Sequence, residues 1–107
     1  MTADTFRTMA LEYPQAVESA HMNHPDFRIV GKIFATLGCP DEGWGMVKLT
    51  REQQRSFVRE APGMFDPCSG IWGRRGTTNV RLASAKKSVV CAALDCAFQN
   101  AITNPKR

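Results

Sequence analysis

The stretch F-R-I-V-G-K-I-F-A-T-L, residues 27–37, is the clearest structural signal in this sequence of 107 residues. It contains two short runs rich in β-branched and aromatic residues with Gly31-Lys32 between them, a pattern typical of a tight β-hairpin. If the turn keeps register, one face of the hairpin is buried, and its residues are Phe27, Ile29, Ile33, Ala35 and Leu37. The fold is therefore expected to be built around an antiparallel sheet.

A third strand follows the hairpin. In W-G-M-V-K-L, residues 44–49, alternation places Val47 and Leu49 on one face of the sheet and Met46 and Lys48 on the other. The three strands together predict an antiparallel meander.

Weaker strand signals lie on both sides of this meander, at residues 18–22, around Ile71-Trp72 and at residues 78–82. Between the last two, G-R-R-G, residues 73–76, is interpreted as a β-turn, because glycine tolerates positive φ angles.

Three amphipathic helices are predicted, at residues 5–12, 51–60 and 84–102. Thr50 and Gln53 have the spacing of a capping box at the start of the second helix. Ser84 is expected to cap the last helix, and Asn104-Pro105 to end it.

The predicted order of elements is α-β-β-β-β-α-β-β-α, with strands grouped apart from helices. This order is typical of an α+β fold in which helices pack against an antiparallel sheet. A chain of this length supports one hydrophobic core, so residues 1–107 are predicted to form a single domain.

The composition, with 43% hydrophobic and 22% charged residues, is that of an ordinary globular protein. No run approaches the roughly 18 apolar residues that a membrane span needs. The N-terminal M-T-A-D-T-F-R also lacks the basic and apolar regions of a signal peptide. We therefore expect a soluble, cytoplasmic protein without a membrane partner.

No motif in the sequence predicts catalysis, a metal or a cofactor. The spacing of the four cysteines fits neither a C-x-x-C clamp nor a disulfide framework, so reduced thiols are expected. His21 and His24 lack an evident third ligand, and no phosphate loop or nucleophile elbow is found. The expectation is a protein that is not an enzyme and that uses no cofactor.

Positive charge is concentrated in the second half of the chain. Residues 1–60 hold seven basic and eight acidic residues, whereas residues 61–107 hold seven basic and two acidic ones. A basic half of this kind suits either phosphate groups or an acidic protein partner.

The segment W-G-R-R-G, residues 72–76, combines the features of a phosphate contact. Arg74 and Arg75 are expected to project from a glycine turn beside Trp72, where they can contact phosphate while the indole stacks on a base or sugar. Lys32 is expected to place another cation at the tip of the hairpin formed by residues 27–37. Two basic hairpin tips would then straddle a duplex backbone.

Three segments of the chain recur together in a known family. They are H-P-D-F-R-I-V-G-K-I-F-A-T-L, then W-G-M-V-K-L before a helix, then G-I-W-G-R-R-G-T-T-N-V-R-L before a long final helix. In this order, through residues 6–102, the chain resembles the MmcQ/YjbR family of small bacterial proteins. The resemblance implies a compact α+β fold similar to the double-wing domain of a phage transcription factor.

The resemblance also implies a DNA-binding role, which has been proposed for this largely uncharacterised family, and it brings no recognised catalytic residues. The chain departs from the family pattern at Thr77 and Thr78, where an aromatic residue is expected after the glycine. This departure predicts weaker stacking on nucleic acid.

The leading hypothesis is a small domain that binds DNA or another nucleic acid weakly, through salt-sensitive and largely non-specific phosphate contacts. The candidate contacts are Arg74, Arg75, Lys32, Lys48 and Arg81, with Trp72 supporting the loop. One alternative is a protein-interaction or small-ligand module that docks an acidic partner without nucleic acid. Another is that these motifs are purely architectural.

Overall fold

A computed structural model of the protein describes residues 1–103. Its elements are α1 (Ala3–Leu11), β1 (Val17–His21), β2 (His24–Ile29), β3 (Lys32–Leu37), β4 (Trp44–Lys48), α2 (Arg51–Glu60), β5 (Phe65–Pro67), α3 (Gly70–Arg74), β6 (Thr77–Arg81), a 3₁₀ turn (Leu82–Ser84) and α4 (Lys87–Thr103). The helix end predicted at Asn104-Pro105 lies outside the described residues.

The six strands form one sheet in the order β1-β2-β3-β4-β6-β5, with every neighbouring pair antiparallel. This confirms the α+β fold with an antiparallel sheet packed against helices. The edges of the sheet are β1, whose five residues are all exposed, and the three-residue β5.

The hairpin that joins β2 and β3 turns at Val30-Gly31, whose φ angles are 51° and 77°. Two consecutive positive φ angles characterise a type I′ turn, whose twist matches that of paired strands. Lys32 is the first residue of β3, opposite Ile29, and does not belong to the turn as predicted.

A β-bulge at Phe34 changes which residues of β3 face the core. Phe27 pairs with Ala35 but Arg28 pairs with Ile33, so Phe34 is an extra residue in its strand. Phe34 is fully buried, whereas Ile33 is only half-buried. The prediction that Ile33 shares the buried face was therefore wrong, because the bulge turns Phe34 inward in its place.

One face of the sheet, the core face, packs against helices. It carries Phe27, Ala35, Val47 and Val80, none of which is exposed to solvent. The apolar stripe of α4 packs in the same cluster; its buried members are Val90, Ala93, Leu94 and Ala97.

The other two long helices also pack on the core face. The ring of Phe6, from α1, lies so close to Gly45 of β4 that a Cβ there would be 3.1 Å from it. In α2, the ring centre of Phe57 lies 5.3 Å from that of Phe65 in β5. Asn100 of α4 donates to Oε1 of Gln53 in α2 at 2.8 Å, which joins the two helices.

Two helix starts test the predicted caps. The capping box of α2 is confirmed, because the N–H of Gln53 donates to Thr50 Oγ1 at 3.1 Å and the N–H of Thr50 donates to Gln53 Oε1 at 2.9 Å. Ser84 does not cap α4, which begins at Lys87; its hydroxyl instead donates to the carbonyl of Gly63 at 2.7 Å.

The segment around Ile71-Trp72 is helical, not a strand as predicted. These two residues lie in α3, and β6 pairs instead with β5 on that side. A Cβ at Gly73 would overlap the carbonyl oxygen of Cys68, so only glycine lets the backbone close into this short helix. Consequently the arginines at 74 and 75 sit at the end of a helix and not at a hairpin tip.

Candidate nucleic-acid interface

The second face of the sheet, the open face, points away from α1, α2 and α4. Strand β4 places Trp44, Met46 and Lys48 on it, because they alternate with Gly45 and Val47 of the core face. The residues opposite them on β6 extend the open face; they are Arg81, Asn79 and Thr77.

A first group of cations and an indole lies where α3 meets the open face. Lys48 Nζ is 4.8 Å and the guanidinium carbon of Arg75 is 5.8 Å from the ring centre of Trp72. The Trp72 side chain is 55% exposed. Burial lowers the pKa of Lys48, and nearby Cys68 opposes part of that effect. Lys48 is thus a partly desolvated amine held against an accessible aromatic ring.

A second pair lies at the other end of β4. The guanidinium carbon of Arg81 is 4.5 Å from the ring centre of Trp44, its cross-strand partner. Arg81 Nη2 is also 3.9 Å from Asp66 Oδ2, an exposed ion pair that contributes little stability. Trp44 was not among the predicted contacts, although the alternation that places Met46 and Lys48 on one face places Trp44 there too.

The β1–β2 hairpin adds a polar cluster to the same face. Asp26 is fully buried; Arg28 Nε donates to its Oδ1 at 2.8 Å and Arg28 Nη2 to its Oδ2 at 3.2 Å, while His21 Nδ1 lies 2.8 Å from Oδ2. The hydrogen bond from Arg28 lowers the pKa of Asp26 despite burial, and His21 lowers it further. The contact of His21 with Asp26 was not predicted, although a two-residue turn brings residues five apart onto neighbouring strands.

One of the predicted contacts lies away from the open face, and another is not brought to it by any contact in the described chain. Lys32 pairs with Ile29 on the core face, and within residues 1–103 its Nζ has no hydrogen-bond partner and is closed to solvent. The prediction of a cation at this hairpin tip was therefore wrong. Arg74 is exposed at the last residue of α3. The remaining four predicted residues lie on or beside the open face: Lys48, Trp72, Arg75 and Arg81.

The two indole sites are Trp72 with Lys48 and Arg75, and Trp44 with Arg81. They lie at opposite ends of β4. Trp44 and Lys48 are four positions apart on one extended strand, a backbone span of about 13 Å. Met46 and Asn79 lie half-buried between them. In the adjacent strand Thr36 is 2% exposed, and its Oγ1 has no hydrogen-bond partner in the described part of the chain.

The helical side of the molecule carries a groove of about 630 Å³ between α1 and α4. Met9, Tyr13, Cys91 and Asp95 are among its lining residues. The hydroxyl of Tyr13 donates to Asp95, and burial together with this carboxylate raises the pKa of Tyr13. The groove therefore presents a fixed polar pair on a largely apolar wall.

All four cysteines are unpaired. Residues 1–103 contain no group of three side chains placed to hold a metal ion. Within the same residues, no helix combines the length and apolarity that crossing a membrane requires.

Comparison with known proteins finds a structural match. The chain is similar to the Deinococcus radiodurans protein DR2400, which carries a DUF419 domain: the TM-score is 0.81 at 13% sequence identity, over 99% of this chain and 82% of that one. No family model matches the sequence, and no curated protein matches it significantly. DUF419 is related to the MmcQ/YjbR family. At this low identity the match shows the fold alone, and that fold is an MmcQ/YjbR-like α+β domain.

Proposed function

We propose that this protein is a small nucleic-acid-binding domain of the MmcQ/YjbR group, and that its open face contacts phosphates and bases. The observation that carries the proposal is the association of cations with indoles on a sheet face that the long helices leave uncovered. Lysine and arginine neutralise phosphates, and accessible aromatic rings stack on bases. The four unpaired cysteines suit a reducing compartment, so we place the protein in the cytoplasm.

The proposed binding surface is one face of the sheet, and not the two basic hairpin tips that the sequence predicted. Lys32 points into the core face, and Arg75 caps α3 beside Trp72, so the cations converge on the sheet face and not on two hairpin tips. Contacts of this kind follow the phosphate backbone without reading sequence. We therefore expect weak, salt-sensitive binding with little sequence preference.

Fluorescence anisotropy of labelled oligonucleotides at several salt concentrations tests the proposal. The test variant is the double replacement Arg75→Ala with Arg81→Ala, which removes one cation from each indole site. The control is Arg51→Ala with Arg55→Ala, which removes the same charge from exposed positions of α2. Both variants have the same net charge, so they separate local contacts from overall charge.

The wild-type protein should show log affinity falling linearly with log salt. In the test variant the slope should fall by about two, one for each lost phosphate contact, and the control should keep the wild-type slope. Equal slopes in the two variants would remove the open face from the proposal. An acidic protein partner would use the same cations. If the protein binds no oligonucleotide at low salt but retains a protein partner in nuclease-treated lysate, the ligand of the open face is a protein and not a nucleic acid.

A further inference from the structure

We infer that the open face selects single-stranded over duplex nucleic acid, with unpaired bases stacked on Trp72 and Trp44. This inference rests on the proposed function and names the ligand class for the same face. It depends on three observations: how accessible the indoles are, how far apart they are held, and what lies between and around them.

The accessibility of Trp72 is the first observation. Tryptophan is usually well buried, yet this side chain is 55% exposed on a short helix whose backbone is fixed by close packing at Gly73. Lys48 and Arg75 lie over the ring at 4.8 and 5.8 Å and hold its orientation. A base that stacks on a ring face covered by one of these cations displaces that side chain, which then lies beside the base for a flanking phosphate, and the backbone of α3 need not move.

The second site offers a platform through Arg81, because Trp44 itself is half-buried. Arg81 lies 4.5 Å above the ring centre of Trp44, and its guanidinium is planar. Guanidinium groups stack on bases as aromatic rings do. Trp44 and Arg81 together thus present a flat cationic surface beside a strand, while the ion pair of Arg81 with exposed Asp66 is weak enough to be displaced.

The separation of the two sites decides between single strands and duplex. The strand between Trp44 and Lys48 spans about 13 Å, whereas stacked bases in one strand of a duplex are about 3.4 Å apart. In a duplex the faces of the bases are covered by their neighbours, and a protein reaches only base edges and phosphates. Two indoles whose sites are anchored at strand positions this far apart can both stack only on bases that have left a continuous stack.

The residues between and around the two sites also suit an unpaired strand. Met46 adapts its shape to apolar surfaces, and the amide of Asn79 offers donors and an acceptor to a base edge. Asp26, the buried carboxylate on this face, is already paired with Arg28 and in hydrogen-bond contact with His21. Around the two indoles, Lys48, Arg75 and Arg81 then stand against the exposed carboxylate of Asp66, so the charge there is mainly positive and complements a phosphate backbone.

The test compares a labelled dodecamer of deoxythymidine with a duplex of the same length. Wild-type protein should bind the single strand at least about 10-fold more tightly than the duplex at the same salt concentration. Trp72→Leu should weaken single-strand binding about 10-fold, which corresponds to the loss of one stacked base, and should weaken duplex binding much less, because a duplex offers no base face to the ring. Trp72→Phe should recover much of the loss, because phenylalanine also stacks.

Intrinsic fluorescence assigns the stacking to each ring. Because the chain has two tryptophans, Trp72→Phe leaves Trp44 as the single indole, and Trp44→Phe leaves Trp72. The dodecamer should quench the emission of both variants. Equal affinity for single strand and duplex, with no effect of Trp72→Leu, would overturn this inference while the proposed function stands. No binding of either oligonucleotide at low salt would overturn both.

Discussion

The imidazole Nδ1 of His21 lies 2.8 Å from Oδ2 of Asp26, a carboxylate that has no solvent exposure. Arg28 holds the same carboxylate through two further hydrogen bonds. Strand β1 is exposed along its whole length, so it buries little apolar surface. Its attachment to the rest of the fold therefore depends on backbone pairing, on this contact, and on the ion pair in which Arg7 of α1 donates to Glu18 at 2.9 Å.

Asp26→Asn should lower the free energy of unfolding at pH 7 by about 1–3 kcal/mol, because it removes a charged acceptor from two partners. The pKa of Asp26 is lowered from its ordinary value of 3.8 in the folded state. The stabilisation is therefore present above that value and is lost as pH falls through the lowered pKa of the folded state. Urea unfolding at a series of pH values should show that the difference in free energy of unfolding between wild type and variant becomes smaller in acid.

The exposed carboxylate of Asp66 provides the control for this pH series. Its side chain is 60% exposed and 3.9 Å from Arg81, so Asp66→Asn should change stability by less than about 0.5 kcal/mol at any pH. A gap for Asp26→Asn that stays constant or widens below pH 3.8 would contradict the assigned role of its ionised form.

Val30→Asn should raise the free energy of unfolding by roughly 0.5–1 kcal/mol. Val30 adopts a φ of 51°, a conformation that β-branched residues resist and that asparagine tolerates in type I′ turns. The side chain is 75% exposed, so little burial is lost. Val17→Asn is the matched control: Val17 is 56% exposed in strand β1, where asparagine is unfavourable, and stability should fall. Chemical unfolding should give opposite signs for the two variants.

Regular periodicity explains the parts of the fold that could be predicted from the sequence. Runs of β-branched and aromatic residues on either side of Gly31-Lys32 identified β2 and β3, and alternation identified β4. The spacing of apolar residues identified α1 and α4, and the capping box identified α2. The bulge at Phe34 could not be predicted, because an extra residue breaks alternation without any local signal. Helix α3 has five residues, too few to show a helical period, and it depends on the close approach of Gly73 to Cys68.

The candidate site was predicted in part for a related reason. Lys48 and Trp72 are distant in sequence and meet because β4 pairs with β6 and α3 packs beside that pair. Charge and aromatic content single out such residues, but only the register shows which of them meet. Register also explains why Trp44 was missed, since its significance comes from Arg81, its partner on β6.

Thr36→Val should raise the free energy of unfolding by about 1 kcal/mol. The hydroxyl of Thr36 is buried without a hydrogen-bond partner in the described chain, and valine has nearly the same shape. Thr78→Val is the opposite case, because the hydroxyl of Thr78 is equally buried but donates to the carbonyl of Gly76 at 2.7 Å. The free energy of unfolding of Thr78→Val should therefore be about 1 kcal/mol lower than that of the wild type. If urea unfolding showed that Thr36→Val lowers stability as Thr78→Val does, the hydroxyl of Thr36 would have a partner after all.

Gly73→Ala should lower the free energy of unfolding by about 2–4 kcal/mol and weaken single-strand binding as well. The new Cβ would overlap the carbonyl oxygen of Cys68, which is backbone and cannot rotate away, so α3 has to shift and carry Trp72 off Lys48. In Gly70→Ala, at the other end of α3, the new Cβ contacts no neighbouring atom. Its only strain comes from the φ of 74°, which should lower the free energy of unfolding by about 1–2 kcal/mol.

The pair of glycine variants separates loss of stability from loss of the site. Both lose stability, but Trp72 should keep its place only in Gly70→Ala, because nothing there forces α3 to shift. Unfolding should be followed by circular dichroism and the indole by its emission in a Trp44→Phe background. The emission of Trp72 should change in Gly73→Ala and keep its wild-type spectrum in Gly70→Ala. If both variants keep that spectrum, the close approach of Gly73 to Cys68 does not position the indole of Trp72, and other contacts hold that ring in place.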